Sequence, residues 1–124
     1  MSDKKFDYNI NLDIKYEPFE VIDTPGIVAA AKEKWSNQML AKVNDSVVRI
    51  GIIEGDFHWH KHDDDDEFFY VTEGKLFIDL EGRTIELNPG QGVTIPKGAM
   101  HRPRAPIKTV ILMVETSNIV PTGD

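Results

Sequence analysis

Residues 55–74, GDFHWHKHDDDDEFFYVTEG, carry the most informative pattern in the chain. Three histidines, His58, His60 and His62, occupy alternate positions, so on an extended strand they share one face. Glu67 begins the next strand, and a short turn can bring it beside His60 and His62. Imidazole and carboxylate together are ligands for Zn, Fe, Mn, Ni or Cu. The stretch predicts a metal site, but a His-x-His pair alone is equally compatible with surface histidines.

The acidic run at residues 63–66 lies between the histidines and Glu67. Four like charges in a row repel one another and cannot all be buried, so we expect most of this run to be solvated. Asp66, next to Glu67, is the exception that we consider as a partner orienting a metal ligand.

Short strand-like segments follow one another from residue 46 to the end of the chain. They are rich in β-branched and aromatic residues, and Gly or Pro turns separate most of them. The predicted strands are residues 47–53, 67–71, 76–80, 83–87, 92–95 and 108–115. This spacing, with no helices between the strands, predicts an all-β antiparallel sandwich or barrel.

The first 45 residues have a different character, and we expect them to pack on a barrel formed by residues 46–124. The side chains at even positions from Phe6 to Tyr16 are apolar or aromatic, which predicts a half-buried strand. Residues 27–40 hold the only helix-like run, Ala29 to Trp35, which predicts one or two helical turns. The tail at residues 120–124 is expected to be loose.

A second stretch, residues 90–101, combines with the first to give a resemblance. The first stretch has glycine, His-x-His, glutamate and Gly74 in the order and approximate spacing of the first cupin motif. The second has Gly90, Pro96-Lys97-Gly98 and His101, as in the second cupin motif. The chain thus resembles the cupin superfamily, in particular small uncharacterised phosphomannose isomerase-like (cupin 2) proteins. The resemblance implies a double-stranded β-helix, or jelly-roll, barrel.

The resemblance also implies a ligand set and shows two departures. The implied ligands are His60, His62, Glu67 and His101, holding one divalent ion (Zn, Fe, Mn or Ni) with one or two positions left for water or substrate. Four residues separate Gly55 from His60 where the family usually has five, and Ala105 replaces an Asn that often closes the second motif. That Asn is not a ligand in the family, so the ligand set is complete.

Strand alternation predicts what surrounds the ion. His58 should share the inward face of His60 and is our candidate catalytic residue, unless a bulge turns it away. Trp59 should face the other way, as should Arg102 and Arg104. No Lys or Arg is identified at an inward position, which argues against a strongly phosphorylated substrate. The predicted pocket is mostly apolar and consists of Phe69, Val71, Leu76, Ile78 and Leu112.

Composition excludes several classes of function. The chain has 124 residues, no cysteine and a net charge of -7, so thiolate metal sites and a basic nucleic-acid surface are absent. We expect no membrane span, no secretory signal and therefore a cytoplasmic location. The alternating N-terminal segment suggests a homodimer.

Two functions stay open on this sequence. One is a metal-dependent enzyme, of oxygenase or isomerase type, acting on a small oxygenated molecule. The other is a non-catalytic protein that binds metal or a small molecule such as a sugar.

Overall fold

The computed structural model describes residues 8–123, and within that range it contains eight strands and one short helix. The elements are β1 (Asn9–Asn11), α1 (Thr24–Ala30), β2 (Trp35–Val43), β3 (Ser46–Asp56), β4 (Glu67–Glu73), β5 (Leu76–Leu80), β6 (Arg83–Leu87), β7 (Gly92–Ile95) and β8 (His101–Thr116). The prediction of a strand-rich fold from residue 46 onward is confirmed.

The strands form one sheet in the order β1-β2-β3-β8-β4-β7, and the β5–β6 hairpin joins it through β8. Neighbours from β2 onward are antiparallel, as predicted for the strands after residue 46, whereas the N-terminal strand β1 runs parallel to β2. The sheet does not close into a complete barrel in the described part of the chain. Residues 57–66 touch β8 at isolated points instead of forming a continuous strand.

Strand β8 organises the interior because it pairs with β3, β4 and β5. Its odd-numbered residues at 101–105 and 109–115 are buried, as the two-residue period of a strand requires, and the alternation is interrupted at the exposed residues 106–108. The odd-numbered residues include His101 at its first position and Glu115 near its end, both buried. The two ends of one strand therefore place a histidine and a carboxylate in the same interior.

The helix begins earlier and ends sooner than the sequence indicated. Asp23 caps α1 by accepting a hydrogen bond from the Gly26 amide at 3.3 Å. Ala31 is already extended, with φ -71° and ψ 131°, and four residues later the chain enters β2. The predicted helical run to Trp35 is wrong beyond Ala30. Pairing with β3 outweighs the local preference of an alanine-rich stretch.

The alternating N-terminal segment forms only a three-residue strand. Tyr8 and Ile10 are half-buried, but Leu12 and Ile14 are exposed, at 56% and 37%. The side chain of Asn11 accepts a hydrogen bond from the Asp13 amide, which turns the backbone out of the strand. A half-buried strand that reaches Tyr16 is therefore wrong, and Phe6 lies outside the described residues.

Two groups of buried apolar side chains cover the two faces of the sheet. The inner group lies between the faces of the barrel and includes Phe69, Val71, Leu76 and Ile78. The outer group lies where α1 covers β3 and β8, and Leu112 packs there. The expectation that Leu112 lines the pocket is wrong, because in this part of β8 Ile111 and Met113 face the inner group and Leu112 faces the outer group.

Candidate metal centre

Backbone hydrogen bonds hold the two histidine-containing segments together. The amide of His60 donates to the carbonyl of His101 at 3.0 Å, and the amide of His101 donates back at 2.9 Å. On either side, the Phe57 amide donates to Pro103 and the Gly98 amide to His62. These contacts fix an otherwise irregular segment across the start of β8.

The arrangement brings all four predicted ligands into one group. One donor atom each from His60, His62, Glu67 and His101 lies within 4.8 Å of the others. All four residues are buried, with exposed fractions of 7%, 3%, 4% and 1%. His58 is not part of this group.

Backbone carbonyls set the orientation of two of the rings. His60 Nδ1 lies 3.0 Å from the carbonyl oxygen of His58, and His101 Nδ1 lies 2.9 Å from that of Ala99. A carbonyl oxygen can only accept, so each Nδ1 carries the ring proton. The Nε2 lone pairs are therefore left for the centre, which is the usual arrangement of metal-binding histidines.

His62 provides the test of whether a metal fits. Within residues 8–123, neither of its buried ring nitrogens has a hydrogen-bond partner. Its Nε2 lies 3.4 Å from Glu67 Oε1, and His101 Nε2 lies 3.3 Å from the same oxygen. Buried polar atoms without partners are costly, whereas a cation would accept the nitrogen lone pair and the carboxylate charge together. The residues present fit a divalent ion.

Burial and neighbouring charges keep this centre in the protonation state that metal binding requires. Burial, reinforced by the neighbouring His101, lowers the pKa of His60 to about 4, so its ring is neutral at pH 7. Burial alone would raise the pKa of Glu67, but its close contacts with the rings of His101 and His62 outweigh it. The pKa of the Glu67 carboxyl therefore lies below its usual value, and the group is a carboxylate.

A buried ion pair that the sequence analysis missed lies behind the centre. Arg49 Nε donates to Glu115 Oε2 at 2.5 Å, and Arg49 Nη1 donates to Asn37 Oδ1 at 3.2 Å. Both charged side chains are 1% exposed, so the expectation of no inward arginine is wrong. Burial and the charge of Glu67 raise the pKa of Glu115, and Arg49 opposes them. The sequence feature that could have indicated an inward Arg49 is its position in the strand, two residues from each of the inward-facing Val47 and Gly51.

A small cavity of about 30 Å³ joins the ion pair to the centre. His60 and Glu67 line one part of it, Asn37 and Glu115 another, and its other walls are mostly apolar. Those walls are Trp35, Gly51, Ile53, Phe57, Phe69, Pro103, Ile111, Met113 and Pro121. Of the five predicted pocket residues, the lining includes Phe69. Val71, Leu76 and Ile78 are buried in the inner group beside it.

His58 lies next to the centre, under the C-terminal tail. Its Nε2 is 2.7 Å from the carbonyl oxygen of Thr122, and its Nδ1 is 3.2 Å from the hydroxyl of Tyr8. The Thr122 carbonyl can only accept, so Nε2 carries the proton and Nδ1 accepts from Tyr8. A catalytic role for His58 stays a prediction, because both of its ring nitrogens are already hydrogen-bonded, one of them to the tail.

The tail itself packs against the centre, so the expectation that it is loose is wrong for the described residues. Ile119 is buried, Pro121 lines the cavity, and Gly123 lies directly against His60. A Cβ atom on Gly123 would lie 2.6 Å from the Cβ of His60, and Gly123 has a φ of +98°. Only glycine adopts this contact and conformation without strain.

Several other predicted positions lie at the surface. Trp59 is 43% exposed, and the guanidinium of Arg102 stacks 5.6 Å from its ring centre. Arg102 and Arg104 both bind Asp79, at 2.8 Å. Asp66 accepts a hydrogen bond from the Lys97 amide, so it anchors the loop before His101.

Among the described residues, no helix has the length and apolar character to cross a membrane.

Comparison with known proteins agrees with this geometry. Residues 47–115 match the family described as "Cupin domain". An uncharacterised protein of Bacillus subtilis, YdbB, is 42% identical over 90 residues, which are 72% of this chain and 80% of that protein. A cupin-2 domain protein from Shewanella frigidimarina is 35% identical with a TM-score of 0.74, covering 77% of this chain and 94% of that one. Protein NMB1881 from Neisseria meningitidis is 26% identical with a TM-score of 0.69, covering 78% and 99%. The chain therefore belongs to the cupin family.

Proposed function

We propose that this protein is a metal-dependent enzyme that acts on a small oxygenated molecule, with one divalent ion (Zn, Fe, Mn or Ni) held by His60, His62, Glu67 and His101. The observation that carries the proposal is a buried three-histidine, one-carboxylate group in which His62 has no other partner in the described residues. When bound, the ion supplies Lewis acidity, and redox chemistry with O₂ if it is redox-active. Oxygenase and isomerase reactions both remain within this proposal.

The residues of the chain supply the surroundings for such a reaction. The walls formed by Phe57, Phe69 and Met113 are apolar, and an apolar surrounding strengthens electrostatic interactions with a bound ligand. Glu115 and Asn37 provide polar groups away from the histidines. His58 is the proposed proton carrier, a role that requires its Nε2 to exchange the Thr122 carbonyl for the ligand.

A second function is favoured by the small size of the cavity. A volume of about 30 Å³ with Pro121 in its wall has no room for a whole sugar or keto acid. Such a site would also suit a protein that holds metal, or a small molecule such as a sugar after the tail has moved, without turnover.

The metal content and a turnover screen separate these functions. Elemental analysis of protein purified without chelator identifies the ion. The protein is then offered hydroxy acids, keto acids and sugars, with O₂ consumption and NMR in D₂O as readouts. The double variant His60→Ala/His62→Ala is the control. Metal-dependent O₂ uptake indicates an oxygenase and deuterium exchange an isomerase. Ligand binding without turnover supports the second function.

We also propose that the protein forms a homodimer. The segment after β1 leaves apolar side chains exposed, among them Leu12, Phe19 and Val21 at 56%, 106% and 84%. Burying them against a second copy would remove apolar surface from water. Light scattering at micromolar concentration should give twice the chain mass, and a clean monomer contradicts the proposal.

A further inference from the structure

We propose that Glu115 is a positioning residue, which donates a hydrogen bond to the metal ligand Glu67 and so fixes the orientation of that carboxylate. Arg49 and Asn37 hold Glu115 in place from behind. The inference rests on the proposed function, because it concerns the surroundings of the ion that the four ligands would hold. It assigns a role to a buried ion pair that lies outside the ligand group.

The pairing of β4 with β8 places Glu67 and Glu115 side by side. The antiparallel register pairs Phe69 with Met113. Two residues away on each strand, the same register sets Glu67 opposite Glu115. Side chains two positions apart share one face of a strand, and opposite side chains have Cβ atoms about 4.5–5.5 Å apart. The two carboxyl groups are accordingly within hydrogen-bonding reach of each other.

Each of the two carboxyl groups uses one oxygen for another partner. Glu67 Oε1 lies 3.3 Å from His101 Nε2 and 3.4 Å from His62 Nε2, so this oxygen faces the metal centre. Glu115 Oε2 accepts a hydrogen bond from Arg49 Nε at 2.5 Å. The oxygens left to meet are therefore Oε2 of Glu67 and Oε1 of Glu115.

A hydrogen bond between two carboxyl groups needs one proton, and the metal determines which group carries it. The ion requires Glu67 as a carboxylate, so Glu115 carries the proton and is the donor. The side chains of Glu67 and Glu115 are 5% and 1% exposed, and two negative charges so deeply buried side by side would repel each other. One shared proton removes this repulsion and links the two groups.

The ion pair behind the centre keeps the donor in place. Arg49 lies in β3, and its Nη1 donates to Oδ1 of Asn37 in β2 at 3.2 Å. The guanidinium is thus held between two strands, and its Nε fixes one oxygen of Glu115. Ligating carboxylates are generally held by such outer hydrogen bonds, and losing one lowers metal affinity about 10- to 100-fold.

Two double variants separate the hydrogen bond from the effects of charge and packing. Both carry Arg49→Met, which removes the buried cation, and they differ only in Glu115→Leu or Glu115→Gln. Glutamine keeps an N–H donor for Glu67, whereas leucine has a similar size and no donor. The single variant Glu115→Gln is the conservative replacement, because its amide oxygen accepts from Arg49 while its N–H donates to Glu67.

The experiment measures the Kd for Zn²⁺ by competition with a chelator, and circular dichroism checks that each variant is folded. Glu115→Gln should bind Zn²⁺ as tightly as the wild type. Arg49→Met/Glu115→Leu should bind it about tenfold or more weakly than Arg49→Met/Glu115→Gln. A crystal structure of the zinc-loaded wild type should place Glu115 Oε1 about 2.5–2.7 Å from Glu67 Oε2, which tests the inference even if the double variants do not fold.

The outcomes distinguish this inference from the proposed function. A wild type that takes up no metal contradicts the proposed function and this inference together. Where the wild type binds metal, equal Kd values in the two double variants overturn the inference alone, because they show that the ion pair has only a structural role. A Glu115 carboxyl beyond hydrogen-bonding distance of Glu67 in the zinc-loaded crystal structure also overturns it.

Discussion

The backbones of His60 and His101 exchange a pair of hydrogen bonds, 3.0 and 2.9 Å long, across 41 positions of the sequence. Their ring centres lie 4.3 Å apart as a result. The centre therefore depends on backbone pairing as well as on side-chain chemistry, because each histidine fixes the position of the other.

Metal should stabilise the folded protein, because the unfolded chain has no preformed site. Saturating metal at about 100 times its Kd should add about 2.7 kcal/mol to the free energy of unfolding. His62→Ala should abolish this gain by removing one of the four ligands. The His62 ring has no hydrogen-bond partner among the described residues, so metal binding is the role that the variant removes. Thermal melts with metal and with chelator measure the metal-induced gain in the wild type and in the variant. An equal metal-induced gain in the variant would exclude His62 as a ligand.

In the metal-free protein, the His60 side chain should lower the free energy of unfolding as the pH falls. Below pH 6.5 the unfolded chain binds a proton at this residue, while the folded chain does not until the pH approaches 4. The stability of the wild type relative to His60→Asn should therefore decrease by about 3 kcal/mol between pH 6.5 and 4. Urea unfolding in chelator measures this difference. A difference that does not change with pH would show that burial leaves the pKa of His60 unshifted.

The buried ion pair predicts a non-additive pair of mutations. Arg49→Met leaves Glu115 buried without its cation and should cost about 3–5 kcal/mol of stability. Adding Glu115→Leu should recover most of that loss. Denaturant unfolding of both variants checks this, and additive losses would mean that the two side chains do not interact.

The contact between the tail and His60 predicts an effect on metal release. Gly123→Ala places a Cβ 2.6 Å from that of His60 and should displace the tail, so metal should leave to a chelator several-fold faster. Gly82→Ala is the matched control, since Gly82 also has a positive φ, +88°, but open space around it. Equal release rates in the two variants would show that the tail does not cover the centre.

Sequence alone was sufficient where a residue's role depends on a local pattern. The alternation of His60 and His62, with Glu67 and His101 in the two cupin motifs, predicted the ligand group that the structure assembles. The strands after residue 46 were found because β-branched runs and Gly or Pro turns mark them. These features need no knowledge of distant contacts.

The sequence was insufficient where distant pairing decides. The segment Ser36-Asn37-Gln38 is polar, and it is a strand because β3 pairs with it. Arg49 is charged within an apolar strand, and its partner Glu115 is 66 positions away. Leu112 was placed on the wrong face because the inward parity of β8 is set by its neighbours, which orient His101 and Glu115 inward.

The most direct test of the account is the metal content of the protein purified without chelator, measured by elemental analysis. Wild type should contain close to one divalent ion per chain, and His58→Ala should match it because the His58 side chain is outside the ligand group. His60→Ala/His62→Ala should contain almost none. Full occupancy in that double variant would contradict the assignment of the metal centre.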